Sequence, residues 1–196
     1  MVDASRNIGH IWEKFREGDV EAFAHLYNLH VDMLFRYGTK LCSDDDLVKD
    51  AIHEVFLDLY QKRQNNRSNP DNLRYYLMLA IKRNLIKKLK SSRRWVPGET
   101  GTDFFQAEYF IENSLEGREA ELELNRKITL MLRNLTPKQK EVLYLRYNES
   151  MPYDEIATVL NITVESARKQ VYRALASIRE QFGKNALLLF LIQSRL

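Results

Sequence analysis

Apolar residues recur at intervals of three and four along most of this 196-residue chain, and polar or charged residues fill the positions between them. This spacing places the apolar side chains on one face of a helix, so it predicts amphipathic α-helices and an all-α fold class. The 7 glycines and 4 prolines are few for a turn-rich β protein. The predicted helices are two over residues 8–41, one beginning at Ser43–Asp46, one over Asn72–Ser91, one over Arg118–Leu132, one beginning at the capping box Thr136–Gln139 and two short helices over 153–174.

The first three helices have specific expected features. Val20 continues the apolar stripe of the second helix, and Gly18 and Gly38 are the expected breaks or weak points of the helices. Ser43 is the expected cap of the third helix, because acidic residues follow it in the first turn. The inward stripe of that helix is expected to begin at Leu47.

The composition changes between residues 96 and 117, where Pro and Gly interrupt the helical pattern and five acidic residues accumulate. We interpret this stretch as a linker between two small helical domains. Its apolar residues, among them Phe104 and Phe105, are too many for a free tether, so part of it should pack on the protein. The predicted boundaries are 1–95 for the first domain, 96–117 for the linker, 118–183 for the second domain and 184–196 for an apolar tail.

Residues 153–174 are expected to form a helix-turn-helix. Ile156, Ala157 and Leu160 would face inward, Asn161 tolerates the positive φ of a chain reversal, and Thr163 is a good N-cap. The second helix would bury a stripe that starts at Val164 and would expose polar and basic residues. These candidate DNA-contacting residues are Ser166, Arg168, Lys169, Tyr172 and Arg173. A helix of this kind suits the major groove, although the spacing alone also fits a helical hairpin with a solvated charged face.

The end of the fourth helix is strongly basic, with seven cations and no acid in residues 82–94. Rings close to these cations could stack on bases while the cations contact phosphates. The preceding amide-rich loop, Gln61–Asn72, is either a plain linker or a source of hydrogen bonds to base edges. The candidate residues here are Asn65, Asn66, Asn69, Asn72, Tyr75, Lys82, Arg83, Lys87, Lys88 and Trp95.

The third helix carries an acidic face with one apolar member, which would suit a basic partner or would simply be solvated. The residues of this face are Asp50, His53, Glu54, Leu57 and Asp58.

Composition and residue spacing argue against several other classes of protein. Cys42 is the one cysteine, so no intramolecular disulfide can form, and a reducing cytoplasm is the expected location. The four histidines are scattered without metal-ligand spacing, so neither a metal nor a cofactor is expected. The apolar run over 186–192 is far shorter than the roughly 20 residues that span a bilayer, so no stable membrane insertion is expected. Its role stays open between packing on the protein and contacting a partner.

Four motifs in fixed order resemble the extracytoplasmic-function (ECF) group of bacterial sigma factors, the small members that have only domains two and four of the main sigma family. The resemblance covers about residues 8–183. The motifs are Asp50-Ala51-Ile52-His53-Glu54-Val55-Phe56-Leu57, the stretch Tyr76–Leu85, the stretch Leu135–Val142, and Glu155-Ile156-Ala157 followed by Leu160, Ser166-Ala167-Arg168, Val171 and Arg173-Ala174.

The resemblance implies a role for each candidate set. The acidic face of the third helix would dock on the clamp helices of the largest subunit of core RNA polymerase. The amide-rich loop and the fourth helix would open the promoter −10 element and read it as a single strand. The helix-turn-helix would read the −35 element as duplex, and the linker would run through the polymerase. An anti-sigma factor is a further implied partner.

Two alternatives stay open at this point. A dimeric helix-turn-helix regulator would bind duplex DNA without polymerase and would not need the basic and aromatic first domain. A nucleic-acid-processing enzyme would need convergent carboxylates or a nucleophile with its base. Asp44, Asp45 and Asp46 are adjacent, so they point in different directions around a helix, and no nucleophile with a matching base is evident.

Overall fold

The computed structural model describes the backbone of residues 2–64, 73–91, 105 and 119–193, and the side chains of 9–64, 73–91, 105 and 126–183. The chain divides into two compact units, Met1–Val96 and Pro97–Leu196. Within the described residues the secondary structure is helical and no strand occurs, so the all-α prediction is confirmed.

Within the described residues, the first unit contains four helices, and each buries one face. Helix α2 packs on α1, α3 and α4, and α3 also packs on α4. An aromatic cluster joins α1, α2 and α3: the rings of Phe15 and Phe23 lie 6.0 Å apart, and Phe23 lies 5.1 Å from Tyr60. The bounds are α1 Val2–Glu17, α2 Val20–Leu41, α3 Asp45–Gln61 and α4 Leu73–Ser91.

Side-chain caps fix where α2 and α3 begin. The carboxylate of Asp19 accepts a hydrogen bond from the backbone N–H of Ala22 at 2.9 Å, and Gly18 ends α1 with a φ of 98°. The cap of α3 is Asp44, which accepts from the N–H of Leu47 at 3.1 Å. The expected Ser43 cap is therefore wrong by one residue, since either side chain can satisfy the free N–H groups of a first turn.

The inward stripe of α3 begins one residue later than expected. Val48 is fully buried, whereas Leu47 is only half-buried. Gly38 is not a helix break but lies buried inside α2, where an added Cβ would stand 2.5 Å from Cγ1 of Val48. The absence of a side chain at Gly38 therefore lets α2 and α3 approach closely. Val20, expected inward, is 69% exposed because it is the first residue of α2 and precedes the packed turns.

His30 lies half-buried on α2, facing α4. Burial, and secondarily the charge of Arg74, lowers the pKa of His30 to about 4. The imidazole is therefore neutral at physiological pH.

In the described part of the second unit, the shorter helices pack on one long helix, α8. Helices α5, α6 and α7 all pack on α8, and the turn Tyr144–Asn148 is π-helical. Thr136 and Gln139 form the predicted capping box at the start of α6, with Pro137 at the first helical position. The bounds are α5 Glu119–Arg133, α6 Pro137–Leu143, α7 Tyr153–Leu160 and α8 Val164–Gln193.

Phe105, which lies in the sequence predicted to be a linker, is fully buried in the second unit. Its ring centroid is 5.7 Å from that of Tyr144 on the π-helical turn. This residue therefore attaches part of the acidic stretch to the helical core of the second unit.

Gly183 interrupts α8 with a φ of 81°, a conformation that favours glycine. Helical backbone resumes beyond it to Gln193. In the part of the chain that the structure describes, no helix is both long and apolar enough to cross a membrane.

Candidate nucleic-acid and polymerase interfaces

The five residues of the acidic face all lie on the outer side of α3, away from its buried stripe. Asp50, His53 and Glu54 are exposed, and Leu57 is 56% exposed despite its apolar side chain. The His53 ring stacks on that of Tyr27 with centroids 6.4 Å apart. The face therefore offers an exposed apolar side chain surrounded by polar ones, an arrangement common at protein interfaces.

Two carboxylates of this face already have cationic partners. Asp58 pairs with Lys62 at 2.6 Å, one turn along, and this hydrogen bond raises the pKa of Lys62. Glu54 accepts from Nζ of Lys88 at 2.6 Å and from Nδ2 of Asn84 at 2.8 Å. Lys88 first, and then Asn84, lowers the pKa of Glu54.

The basic end of α4 does not present all its cations to solvent. Arg83 and Lys87 are exposed, whereas Tyr75 lies half-buried in the first turn of the helix, at its opposite end. Lys82, however, is buried with 4% of its surface exposed, and Lys88 is occupied by Glu54. Lys82 was predicted to contact DNA with the other cations, and its burial contradicts this prediction. Lys82 follows Ile81 on the core side of α4, one position from the exposed Arg83.

The remaining −10 candidates cannot be placed on this surface. Asn65, Asn66, Asn69, Asn72 and Trp95 lie outside the described residues.

The helix-turn-helix has the predicted turn. Asn161 ends α7 in the left-handed conformation, with φ 52° and ψ 53°. Thr163 caps α8 by accepting from the N–H of Ser166 at 3.1 Å. Ile156, Ala157 and Leu160 are buried on α7, while Ala167 and Val171 are buried on α8. The prediction was wrong at Val164, which is exposed because it starts the helix at its solvent end.

The outer face of α8 presents the predicted polar and basic side chains together. Arg168, Lys169 and Arg173 are exposed, Tyr172 is 71% exposed and Ser166 is half-buried. Glu165 pairs with Lys169 at 2.6 Å, so part of the charge of Lys169 is neutralised within the helix. Arg168 and Arg173 therefore contribute most of the positive charge on this face.

Arg146 and Tyr153 extend this face and were missed by sequence analysis. The Tyr153 ring, at the start of α7, lies 4.7 Å from the Arg146 guanidinium and 5.5 Å from that of Arg168. Arg146 is held in turn by a 2.8 Å hydrogen bond from Nη1 to the carbonyl of Met151. Helical periodicity gave no signal for this stack, because Arg146 and Tyr153 lie on two helical elements that a short connection separates.

Two family models match the chain, one in each unit. Sigma-70 region 2 matches residues 26–95, and Sigma-70, region 4, matches residues 125–178. Together the two models cover more than half of the chain, in the order region 2 then region 4.

Curated relatives agree with the family models. RNA polymerase sigma factor CarQ of Myxococcus xanthus is 22% identical over 172 residues, which are 88% of this chain and 95% of CarQ. ECF RNA polymerase sigma factor SigW of Bacillus subtilis is 21% identical over 175 residues, or 86% of this chain and 93% of SigW.

A solved structure shares the fold. CnrH, determined in complex with the cytosolic domain of CnrY, has 19% sequence identity and a TM-score of 0.55, and the match covers 87% of this chain and 94% of CnrH. With both regions present in order and full-length relatives of the same type, this chain belongs to the sigma-70 family of bacterial RNA polymerase sigma factors, in the extracytoplasmic-function group.

Proposed function

We propose that this chain binds core RNA polymerase and directs it to a specific set of promoters as an ECF sigma factor. The observation that carries this proposal is the presence of region 2 and region 4 in order in one chain, each in its own compact unit. The chain is an initiation factor and not an enzyme, since in this family the polymerase performs the chemistry. The dimeric regulator is not favoured, because it gives no reason for a region 2 unit.

The polymerase would contact the exposed face of α3, and the clamp helices of its largest subunit are the proposed partner. Leu57 supports this proposal, because burying its exposed apolar side chain against a partner would contribute favourable free energy to binding. Asp50 and His53 lie exposed on the same face and can contact polar groups at the rim.

The −10 element would be opened and read by α4 and the residues on either side of it. Arg83 and Lys87 support phosphate contacts because both are exposed on the basic end of the helix. Tyr75 is a candidate for stacking on an unpaired base. The edge contacts proposed for Asn65, Asn66, Asn69 and Asn72, and the stacking proposed for Trp95, complete this site.

The −35 element would be read as duplex by the N-terminal part of α8. Its outer face carries Arg168 and Arg173, which can donate two hydrogen bonds to guanine O6 and N7, and Tyr172, which can contact a base or a phosphate. Arg168 is held by the Tyr153 ring, so this guanidinium would enter the groove in a restricted orientation.

A protein partner that holds the free chain, an anti-sigma factor, is also proposed. Support comes from the related CnrH, whose structure was determined with the cytosolic domain of CnrY. We further propose that the chain acts in the cytoplasm, where core polymerase and DNA are available to it.

Start-site mapping tests the proposal. Core polymerase from the host would be incubated with a DNA fragment carrying the gene's own upstream region, with and without this protein. We expect defined transcripts only when both proteins are present. Arg173→Ala should lower the yield of these transcripts, whereas Arg179→Ala, an exposed cation farther along α8, should not. Transcripts that are unchanged by omitting this protein would refute the proposal.

A further inference from the structure

Glu54 of α3 is held from both sides by α4. Its Oε1 accepts from Nζ of Lys88 at 2.6 Å, and its Oε2 accepts from Nδ2 of Asn84 at 2.8 Å. Asn84 and Lys88 are one helical turn apart, so a single carboxylate joins two successive turns of α4 to α3. The contacts connect residues 30 and 34 positions apart in the sequence.

Two other carboxylates of α3, Asp46 and Asp58, provide a contrast. Asp58 pairs with Lys62 and Asp46 pairs with Lys49, in each case within three or four residues along the chain. Such local pairs add little to tertiary structure. Glu54 therefore differs from its neighbours on the same helix because its partners belong to another helix.

Burial shows what this contact does to Lys88. The Lys88 side chain is only 22% exposed, whereas Arg83 and Lys87 on the same helix are exposed. A partly desolvated ammonium needs a counter-charge, and Glu54 supplies it. Lys88 is therefore poorly presented to a phosphate, and its charge is directed towards α3.

We propose that Glu54 is a positioning residue for promoter opening: it fixes the basic end of α4 on α3 through Asn84 and Lys88, and it is not a principal polymerase contact. This inference rests on the proposed function. Of the candidate DNA-contacting cations that the structure describes on α4, Arg83 and Lys87 are exposed and can contact the DNA backbone. Their placement depends on how firmly the basic end of α4 is held against α3. The docking face then consists of Asp50, His53, Leu57 and Asp58.

A charge exchange separates this role from the two earlier assignments. Glu54→Lys and Lys88→Glu each place like charges together, and the double variant restores an ion pair in reversed order. If Lys88 contacted a phosphate, the new acid at residue 88 would keep the double variant inactive. If Glu54 contacted the polymerase, the new cation at residue 54 would keep core binding weak.

The experiment measures two steps separately for each variant. Affinity for core polymerase is measured by fluorescence anisotropy of labelled protein, and opening is measured by 2-aminopurine fluorescence in the −10 region at saturating holoenzyme. We expect Glu54→Ala to leave core affinity within about twofold and to lower the opening rate about fivefold, as for the loss of two charged hydrogen bonds at an exposed carboxylate. The double charge exchange should recover opening to within about twofold of the wild type.

Two variants on α3 serve as comparisons. Asp58→Asn should lower core affinity without slowing opening at saturation, the reverse of the Glu54→Ala result. Asp46→Asn, at an exposed local pair outside the proposed interfaces, should change neither step. A Glu54→Ala protein that loses core affinity and opens normally at saturation would overturn the inference, and so would a double variant as defective as the worse single variant.

A measurement without polymerase tests the pairing itself. Trp12 is buried in the first unit and the sequence of the second unit contains no tryptophan, so tryptophan fluorescence reports unfolding of the first unit in urea. The charge exchange should show favourable coupling between residues 54 and 88 in a double-mutant cycle. Absence of coupling between residues 54 and 88 overturns the inference even if the protein supports transcription. A wild-type protein that opens no promoter counts against the proposed function, and the double-mutant cycle then still tests the pairing of Glu54 with Lys88.

Discussion

Gly38→Ala should destabilise the first unit because it places a methyl group where α2 meets α3. The added Cβ would stand 2.5 Å from Cγ1 of Val48 and 3.4 Å from Cδ1 of Ile81. Carbon atoms in good contact lie about 3.5–4.0 Å apart, so the first of these distances is about 1 Å too short. Val48 is fully buried and β-branched, so its side chain has little freedom to move aside.

The expected loss is the difference between two opposing terms. Overpacking of a buried site costs about 1–3 kcal/mol. Alanine in place of glycine inside a helix returns about 1 kcal/mol. We therefore expect a net loss of about 1 kcal/mol, which for a domain of this size lowers the unfolding midpoint by roughly 4–8 °C.

Urea unfolding followed by tryptophan fluorescence measures this loss in the first unit. Gly9→Ala is the matched control, because Gly9 also lies inside a helix but has no atom within 4 Å of an added Cβ. The control should be neutral or stabilising by up to about 1 kcal/mol. Gly38→Ala combined with Val48→Ala should be less destabilised than the two single variants summed. A Gly38→Ala protein as stable as the Gly9→Ala control would show that the added methyl group does not clash with Val48.

Three further predictions follow from the structure. The pKa of His30 falls to about 4 on folding, so between pH 6.5 and 4 the unfolded state binds a proton that the native state does not, and the free energy of unfolding should decrease as the pH falls. His30→Gln should reduce this loss by about 1–2 kcal/mol, a value that allows for solvent screening of a half-buried group, when urea unfolding at pH 4.5 is compared with pH 7. Tyr153→Leu should weaken binding of holoenzyme to a −35 duplex by roughly threefold in a competition assay, whereas Tyr153→Phe keeps the ring and should not. Phe105→Ala should destabilise the second unit by about 3 kcal/mol and speed hydrogen exchange in residues 144–148, and unchanged exchange there would contradict its role as an anchor.

The local chemistry of the helix-turn-helix was predictable from sequence. The reversal at Asn161, the Thr163 cap and the capping box at Thr136 each depend on residues within a few positions of one another. Their geometry follows from backbone preferences that act over one turn. The outward placement of the cations on α8 follows from the 3.6-residue period in the same way.

Side-chain contacts between different helices were not predictable from the periodicity of each helix. The pairing of Glu54 with Asn84 and Lys88 depends on how α3 and α4 are rotated against each other, and the pattern of each helix alone fits several rotations. The burial of Lys82 beside the exposed Arg83 depends on the same rotation.

The function of Gly38 depends on the separation of two helices, which the sequence of either helix does not specify. The stack of Arg146 on Tyr153 depends on a π-helical turn, which has no clear sequence signature.

Permanganate reactivity of promoter thymines shows whether this chain opens promoters only together with core polymerase. Unpaired thymines react with permanganate, whereas thymines in duplex are protected. We expect reactive thymines around the −10 element when this protein and core polymerase are both present, and duplex-like protection with either protein alone. Tight binding of promoter duplex by this protein alone, with no reactive thymines after polymerase is added, would argue against promoter opening by this chain and would favour a duplex-binding regulator.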